Sequence, residues 1–393
     1  MYEEIVHPFE AGRRGKPDEL ECGMAHLIGS FFLDQAAQAR FDLRVAGRYD
    51  FSRQQPVVRI SGEISPFLFE IPRLETTIAE IVREYYHAIQ CDNGRDVLSV
   101  ELALKPQSGK LASNGQAGDS GNPMAVAYRG SPNHLPWERY LAVELRDILD
   151  IIFQHQGKVP EPLASASGVA ELMGLKADGK VQVNARYADT SLARIDKIVM
   201  AVEHDHSLTA AELREKIGRI MNAQQCLAEE KYDISFQSPA IVVNGAEEFY
   251  AGGWKVDEGN REAKPQREWF GSHGVMEDSG YGEDPSKPSA TGTFMARHIA
   301  VNIVGQGLAE FARVALTYTI GQEEVDLNIT TQGTGKLPQE KLEEWARLNF
   351  PLSIPQVIAY FGLRDPVLYR KIVQSADFFH NPEFPWNRVE TFP

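Results

Sequence analysis

Three stretches of this chain follow one order of elements, strands set beside one or two amphipathic helices, and that order limits the fold most. In the first, residues 77–89 place Ile78, Ile81, Val82, Tyr85 and Ile89 at helical spacing. Thr77 and Glu80 read as a capping box that starts this helix. Residues 98–104 then alternate as a strand. In the second stretch, 137–153 reads as a helix with Leu141, Leu145, Ile148 and Ile152 on one face. Strands are predicted over 180–187 and 195–203. A helix follows, capped by Thr209 and Glu212 and carrying Leu213, Ile217 and Met221. In the third, 294–311 reads as a helix with Met295, Ile299, Ile303 and Leu308 inward. Strands over 314–320 and 325–329 and helices over 337–348 and 354–361 complete the pattern.

Strands followed by helices, without strict βαβα alternation, predict an α+β architecture with helices on one face of each sheet. No clean repeat of residues is visible, so a threefold repeat is suggested by element order alone. A chain of 393 residues is too long for one ordinary core and predicts two or three domains. Its formal net charge of −15 argues against nucleic acid or a membrane surface as partner, although a local basic pocket still binds anions. Cys22, Cys91 and Cys226 lie far apart and form no CxxC pair, which argues against a disulfide framework or a zinc knuckle. The first ten residues show no basic and apolar signal pattern, and no apolar run approaches membrane-spanning length. The expected location is cytoplasmic.

Two short features invite a site reading. Glu203, His204, Asp205 and His206 end a predicted strand, and alternation would put both imidazoles on one face, as a metal site needs. No third ligand is identifiable, and a strand-to-helix loop is the plainer reading. The run SGYGEDPSK at 279–287 lacks the order of a Walker A loop and alone reads as a solvated turn. Two segments, 106–123 and 271–293, are glycine-rich and poor in apolar residues, as loops that close over ligands often are.

Read together, these loops carry a resemblance. Ala117-Gly118-Asp119-Ser120-Gly121 is similar to the GAGDQG signature of the S-adenosylmethionine synthetases, and Ser61-Gly62-Glu63-Ile64-Ser65 to their GGEIT. Asp284-Pro285-Ser286-Lys287 matches their GKDPSK, and 296–308 matches the helix that follows it. Residues 318–321 read like YAIG, 336–342 match KVPSEQL, and Phe384-Pro385-Trp386 matches the C-terminal FPW. Gly15-Lys16-Pro17-Asp18 sits where GHPD is usual. The match runs over about residues 10–390, and the order and spacing of its motifs carry it.

The resemblance implies three pseudo-threefold-related α+β repeats, each a β-sheet backed by α-helices, at about 1–110, 111–243 and 244–393. It also implies a homodimer, or a dimer of dimers, with active sites between subunits. The implied activity is methionine adenosyltransferase: the sulfur of L-methionine attacks C5′ of ATP and displaces the polyphosphate, with Mg2+ present. Carried over by motif, Lys16, Lys180, Lys264 and Lys287 are the catalytic, phosphate-facing cations. Glu63, Gln107, Asp119, Asp178, Phe249, Asp257 and Gly259 would bind ATP and methionine, with Phe249 stacked on adenine. Asp18 matches a magnesium ligand.

The departures are as clear. Lys16 stands where the family has histidine, and Glu19 where a lysine follows. Ala263 replaces an arginine, Glu283 a lysine and Ser289 a magnesium-binding aspartate. Arg48 falls near a potassium-binding glutamate, so no potassium site is expected. Arg13 and Arg14 are extra cations expected to compensate in part. The loop between Gln107 and Asp119 is short and is expected to act as a gate. A homologue using another nucleotide such as ADP, another thioether or the reverse reaction is the alternative reading. A non-catalytic nucleotide-binding homologue is the third.

Overall fold

A computed structural model describes residues 4–91, 97–108, 117–246, 248–258, 269–274 and 280–391. In chain order its elements begin with β1 (Glu4–Gly12), α1 (Pro17–Gln35), β2 (Phe41–Asp50), β3 (Gln55–Ile64), α2 (Leu74–Gln90) and β4 (Ser99–Pro106). Next come β5 (Met124–Tyr128), α3 (Trp137–Gln154), α4 (Leu163–Ser167), β6 (Leu175–Ala188), β7 (Ser191–His204), α5 (Ala210–Tyr232) and β8 (Ala240–Val243). The last are α6 (Pro288–Gly305), β9 (Phe311–Tyr318), β10 (Val325–Thr330), α7 (Gln339–Asn349), α8 (Ile354–Phe361) and α9 (Pro366–Ser375).

The α+β reading holds: three sheets are each covered by helices. One sheet runs β1-β6-β7-β8, a second β2-β3-β4 and a third β10-β9-β5. The strand patterns explain this. In β6, Val181, Val183, Ala185 and Tyr187 alternate into the core, and α3 lies over β6 and β1. In β10, Val325, Leu327 and Ile329 do the same. Two sheets recruit a strand from earlier in the chain. β1 pairs antiparallel with β6, Gly12 opposite Lys180, and β5 pairs with β9. The pairing of β1 with β6 sets the turn after Gly12 beside the start of β6.

Several boundaries differ from expectation. The first predicted helix begins at Leu74, not at Thr77, and no side chain caps it. Leu74 is buried, so packing draws the start one turn earlier. The Thr209–Glu212 box forms as read, with both of its bonds. The helix predicted over 294–311 instead spans Pro288–Gly305. Gly307, at φ +68°, turns the chain, and Phe311 already belongs to β9. The glycine-rich stretch 271–293 is therefore partly helix. Helices α1 and α9 were not foreseen. Among the described residues no helix is long and apolar enough to cross a membrane.

The buried residues form two cores. Helix α1, α2 and the sheet β2-β3-β4 share one, which Trp254 and Tyr369 join from far along the chain. The other two sheets share the second. In the first core the α1 residue His26 is buried, stacked on Tyr369 at 4.2 Å, with neither ring nitrogen hydrogen-bonded among the described residues. Burial lowers His26 from 6.5 to about 3. Burial likewise lowers His7 to about 4, helped by His273, and His298 to about 4.

These shifts set a direction for acid stability. Between those lowered values and 6.5 the unfolded chain takes up protons that the folded chain refuses, so stability falls as pH drops through this window. Each unit of difference is worth about 1.4 kcal/mol. Thermal melts at about pH 7.5 and about pH 5 should show a lower Tm at the acid end. His26→Phe, which keeps a ring among Tyr281, Tyr369 and Phe378, should shrink that difference. An unchanged difference would remove His26 from the account.

Candidate active site

The chain leaves β1 at Gly12 and reaches the α1 N-terminus through Arg13–Lys16, with Pro17 opening the helix. The backbone N–H of Arg13 bonds the Gly179 carbonyl at 2.9 Å. A side chain at Gly15 would drive into Ala177, so only glycine lets this turn lie flat on the start of β6. The Gly15–Asp18 motif and the Ala177–Lys180 motif, far apart in sequence, are thus in contact.

A third motif closes on them. The N–H of Gly253 donates to Asp178 Oδ2 at 2.7 Å, and the N–H of Asp178 donates to Glu203 Oε2 at 3.1 Å. Trp254 anchors the same turn: its Nε1 donates to Glu21 Oε1 at 2.9 Å, and its ring lies against Gly47, which leaves no room for a side chain there. Downstream, Asp257 meets Lys16. The Lys16 ammonium lies 2.9 Å from Asp18 Oδ2 and 2.9 Å from Asp257 Oδ2. Burial works against its charge, but hydrogen bonds to Asp18 and Asp257 outweigh burial and hold its pKa above the ordinary lysine value. Burial pushes the Asp178 carboxyl up, against the Gly253 N–H and the charge of Lys16. It also pushes Glu203 up.

A second cluster gathers around Lys287. Its ammonium lies 3.0 Å from Asp42 Oδ2 on β2 and 3.0 Å from Asp119 Oδ2. Burial again opposes the charge, and the Asp42 carboxylate, with Asp119, raises the lysine regardless. The turn before α6 is fixed by Asp284, which accepts from the Phe41 N–H at 3.1 Å and the Ser286 N–H at 2.8 Å. The Gly118 N–H bonds the Ser286 carbonyl at 2.9 Å, joining the 117–121 and 284–287 motifs. Nearby on β3, Glu63 pairs with Lys105 at 2.9 Å. Gln107 follows β4; its side-chain oxygen is buried with no hydrogen-bond partner among the described residues.

The foreseen site residues therefore fall into groups. Lys16, Asp18, Asp178 and Asp257 form the first cluster, and the Phe249 carbonyl accepts from the His204 N–H behind it. Asp119 and Lys287 form the second, with Glu63 and Gln107 at the ends of β3 and β4. Lys180 stands apart from both, paired with Glu10 at 2.9 Å. Gly259 and Lys264, with Ala263, lie outside the described residues, as does most of the gate segment. Among the described residues no group of three or more His, Cys, Asp or Glu side chains is placed to hold a metal. His204 and His206 both pack on the Tyr250 ring, at 4.8 and 4.1 Å. Arg48 lies half-exposed on β2 beside Glu101.

Two expectations are corrected. Arg13 does not compensate for lost phosphate-facing cations. It is fully buried, donating to Asp150 at 2.8 Å and to the carbonyls of Lys176 and Asp178. Arg14 lies 3.8 Å from Asp150 and 3.9 Å from Asp147. Glu283 is also buried, and the Ser289 hydroxyl donates to it. The sequence reading gave no site role to Glu10 or Asp42, and noted Glu203 only within the run that ends in two histidines. Their contacts here run to partners far along the chain, which local motifs do not mark.

Comparisons with known proteins place the chain in a family. The S-adenosylmethionine synthetase central domain matches residues 114–249, and the C-terminal domain of the same family matches 252–388. The chain belongs to the S-adenosylmethionine synthetase family. S-adenosylmethionine synthase of Wolinella succinogenes is 27% identical over 99% of this chain and 97% of its own length. The enzyme of that name from Aquifex aeolicus is 25% identical, covering 97% and 95%. That of Maridesulfovibrio salexigens is 29% identical, covering 97% and 94%. At these identities the chain is a divergent member.

The close approach at Gly252 is testable. A Cβ at Gly252 would stand 2.6 Å from Asp178 Cβ and 2.7 Å from the Glu203 carboxyl carbon. Gly252→Ala should therefore lower ligand affinity and turnover by far more than it lowers Tm. Gly218→Ala, on α5 with open space around it, should leave function intact and add up to about 1 kcal/mol of stability. Equal effects of the two on substrate binding would place the Gly252 turn outside the site.

Proposed function

We propose that this enzyme joins L-methionine to the adenosyl group of ATP and forms S-adenosylmethionine. The observation that carries this reading is the contact among three distant motifs, through Lys16, Asp18, Asp178 and Asp257. Family membership supports it, and so do the names of the relatives.

A sulfur lone pair attacks C5′, the C5′–O5′ bond breaks, and its electron pair leaves on the polyphosphate. Sulfur ends as a sulfonium and no proton moves, so the protein needs no general base. Its tasks are alignment and stabilisation of leaving charge. Lys16, Lys180, Lys264 and Lys287 supply that charge. The unpartnered Gln107 oxygen suits the methionine ammonium, with Glu63, Asp119 and Asp257 alongside. Asp178 faces the ribose, the Phe249 ring stacks on adenine, and Gly259 is a further substrate-binding residue.

Asp18 and Asp257 turn carboxylate oxygens to one cation position, the donor chemistry magnesium takes. Asp18 would hold the ion there, which when bound neutralises phosphate charge. Two separate clusters within one chain fit a homodimer, or a dimer of dimers, in which subunits complete each other's sites. Exposed Ile5, Val6 and Phe51 offer apolar surface for such contact.

Mass spectrometry of products from ATP, methionine and magnesium decides the reading. S-adenosylmethionine is the expected product, and Lys287→Ala should lower kcat/KM by about a hundredfold with Tm little changed. Binding of both substrates without any sulfonium product would overturn it.

A second reading concerns the phosphate chain. Arg13 and Arg14 face internal aspartates, and Glu283 and Ser289 bond each other. Among the described residues the far end of a triphosphate thus lacks cations and a metal ligand that hydrolysis needs. Phosphate release from added triphosphate should be much slower than sulfonium formation, and ADP should serve as a donor. Triphosphate hydrolysis that keeps pace with transfer would remove this second reading.

A further inference from the structure

The ammonium of Lys16 is held in an unusual place for a lysine. The Lys16 side chain is more than nine-tenths buried, and its ammonium sits between the carboxylates of Asp18 and Asp257, the latter 241 residues along the chain from Lys16. Asp18 comes from the first turn of α1, and Asp257 from the loop after Trp254. Both approach to 2.9 Å, and one oxygen of each faces the same point. Two carboxylate oxygens converging on one point supply two of the roughly six oxygens of a magnesium shell, the share a protein contributes when phosphates and water supply the rest. Here the chain fills that point with its own side chain.

We propose that Lys16 is a built-in cation that excludes divalent metal from the Asp18–Asp257 position until nucleotide arrives. A compact ammonium suits the task. It neutralises the two carboxylates enough to let the Gly253–Asp257 turn close onto α1, and it repels a divalent ion from the same oxygens. The substrate-free protein therefore holds no metal there, and metal enters only when phosphates supply both ligands for the ion and a new partner for Lys16. This rests on the functional reading only in taking the phosphates to be those of a nucleotide; the exclusion itself is a property of the chain alone.

Manganese tests it, because free Mn2+ gives a six-line electron paramagnetic resonance signal that collapses on binding. The full chain without nucleotide should leave the signal of added Mn2+ undiminished. Lys16→Met, which keeps length and loses charge, should bind one Mn2+ per chain at least about tenfold more tightly than the native chain. Lys16→Gln should do the same, and Lys16→Arg should not. Lys16→Met combined with Asp18→Asn should lose the gain. Native protein that binds Mn2+ at a site abolished by Asp18→Asn would overturn the proposal even if no Lys16 variant folds. So would folded Lys16→Met and Lys16→Gln variants that bind no better than the native chain. Product assays stay separate. A chain that shows the manganese pattern but makes no sulfonium sinks the functional reading alone, and one that makes S-adenosylmethionine but binds Mn2+ at Asp18 sinks this one alone.

Discussion

The guanidinium of Arg13 is fully buried where the first sheet, α3 and the first cluster meet. Its Nε and Nη atoms donate to Asp150 and to the carbonyls of Leu149, Lys176 and Asp178. A buried cation is tolerated only when its hydrogen bonds are filled and its charge is matched, and breaking such a set typically costs about 3–5 kcal/mol. That requirement fixes three things together. It sets the end of β1, the last turn of α3 and the backbone on either side of Ala177. The Gly15 turn lies against that backbone, and Asp178 receives the Gly253 turn on its other side. The motifs meet because a charge in the core leaves them no other arrangement.

Much of the architecture was legible because several elements are amphipathic. Helix α3 carries a clear apolar stripe and was read with nearly its observed bounds, and the start of α5 was read from its capping box. Helix α1 was missed for a physical reason: fifteen of its nineteen residues are buried, charged ones included, so it has no polar face to contrast with an apolar one. Helix α6 is buried in the same way, and its ends were misplaced for that reason. Thr77 and Glu80 have the right spacing for a cap. Spacing cannot show that Leu74 packs into the core and continues the helix backwards.

The site was legible as motifs and illegible as pairs. Lys16, Asp18, Asp178 and Asp257 were each carried over from motifs of the resembled family, and they do come together. What local patterns could not supply was the partner of each charge. Arg13 and Arg14 look like free cations beside a phosphate-facing turn until Asp147 and Asp150 of α3 are placed next to them. Glu283 looks like a carboxylate aimed at a polyanion, whereas it is buried and takes a bond from Ser289. Both departures from the family pattern thus sit in one contact, where a donor hydroxyl and an acceptor carboxylate suit each other. Glu203 was read only as part of a histidine pair, yet it holds the Asp178 backbone in place.

The same pairing governs how an anion meets this surface. Lys16, Lys180 and Lys287 contact five carboxylates in all: Asp18, Asp257, Glu10, Asp42 and Asp119. Among the described residues these three contacts are therefore locally acidic. A polyphosphate approaching them meets no spare positive charge and must draw each lysine away from a carboxylate. The carboxylate left behind then loses the neutralising ammonium, at Asp18 in a nearly buried position, which is costly unless another cation takes the vacated place. Free nucleotide cannot meet that condition, because it adds negative charge only. A nucleotide carrying its own divalent ion can, since the ion replaces the ammonium while the ammonium moves to phosphate. On this reading the lysines keep the acidic residues in register when no substrate is present, and the exchange of partners favours metal-complexed nucleotide over the bare anion.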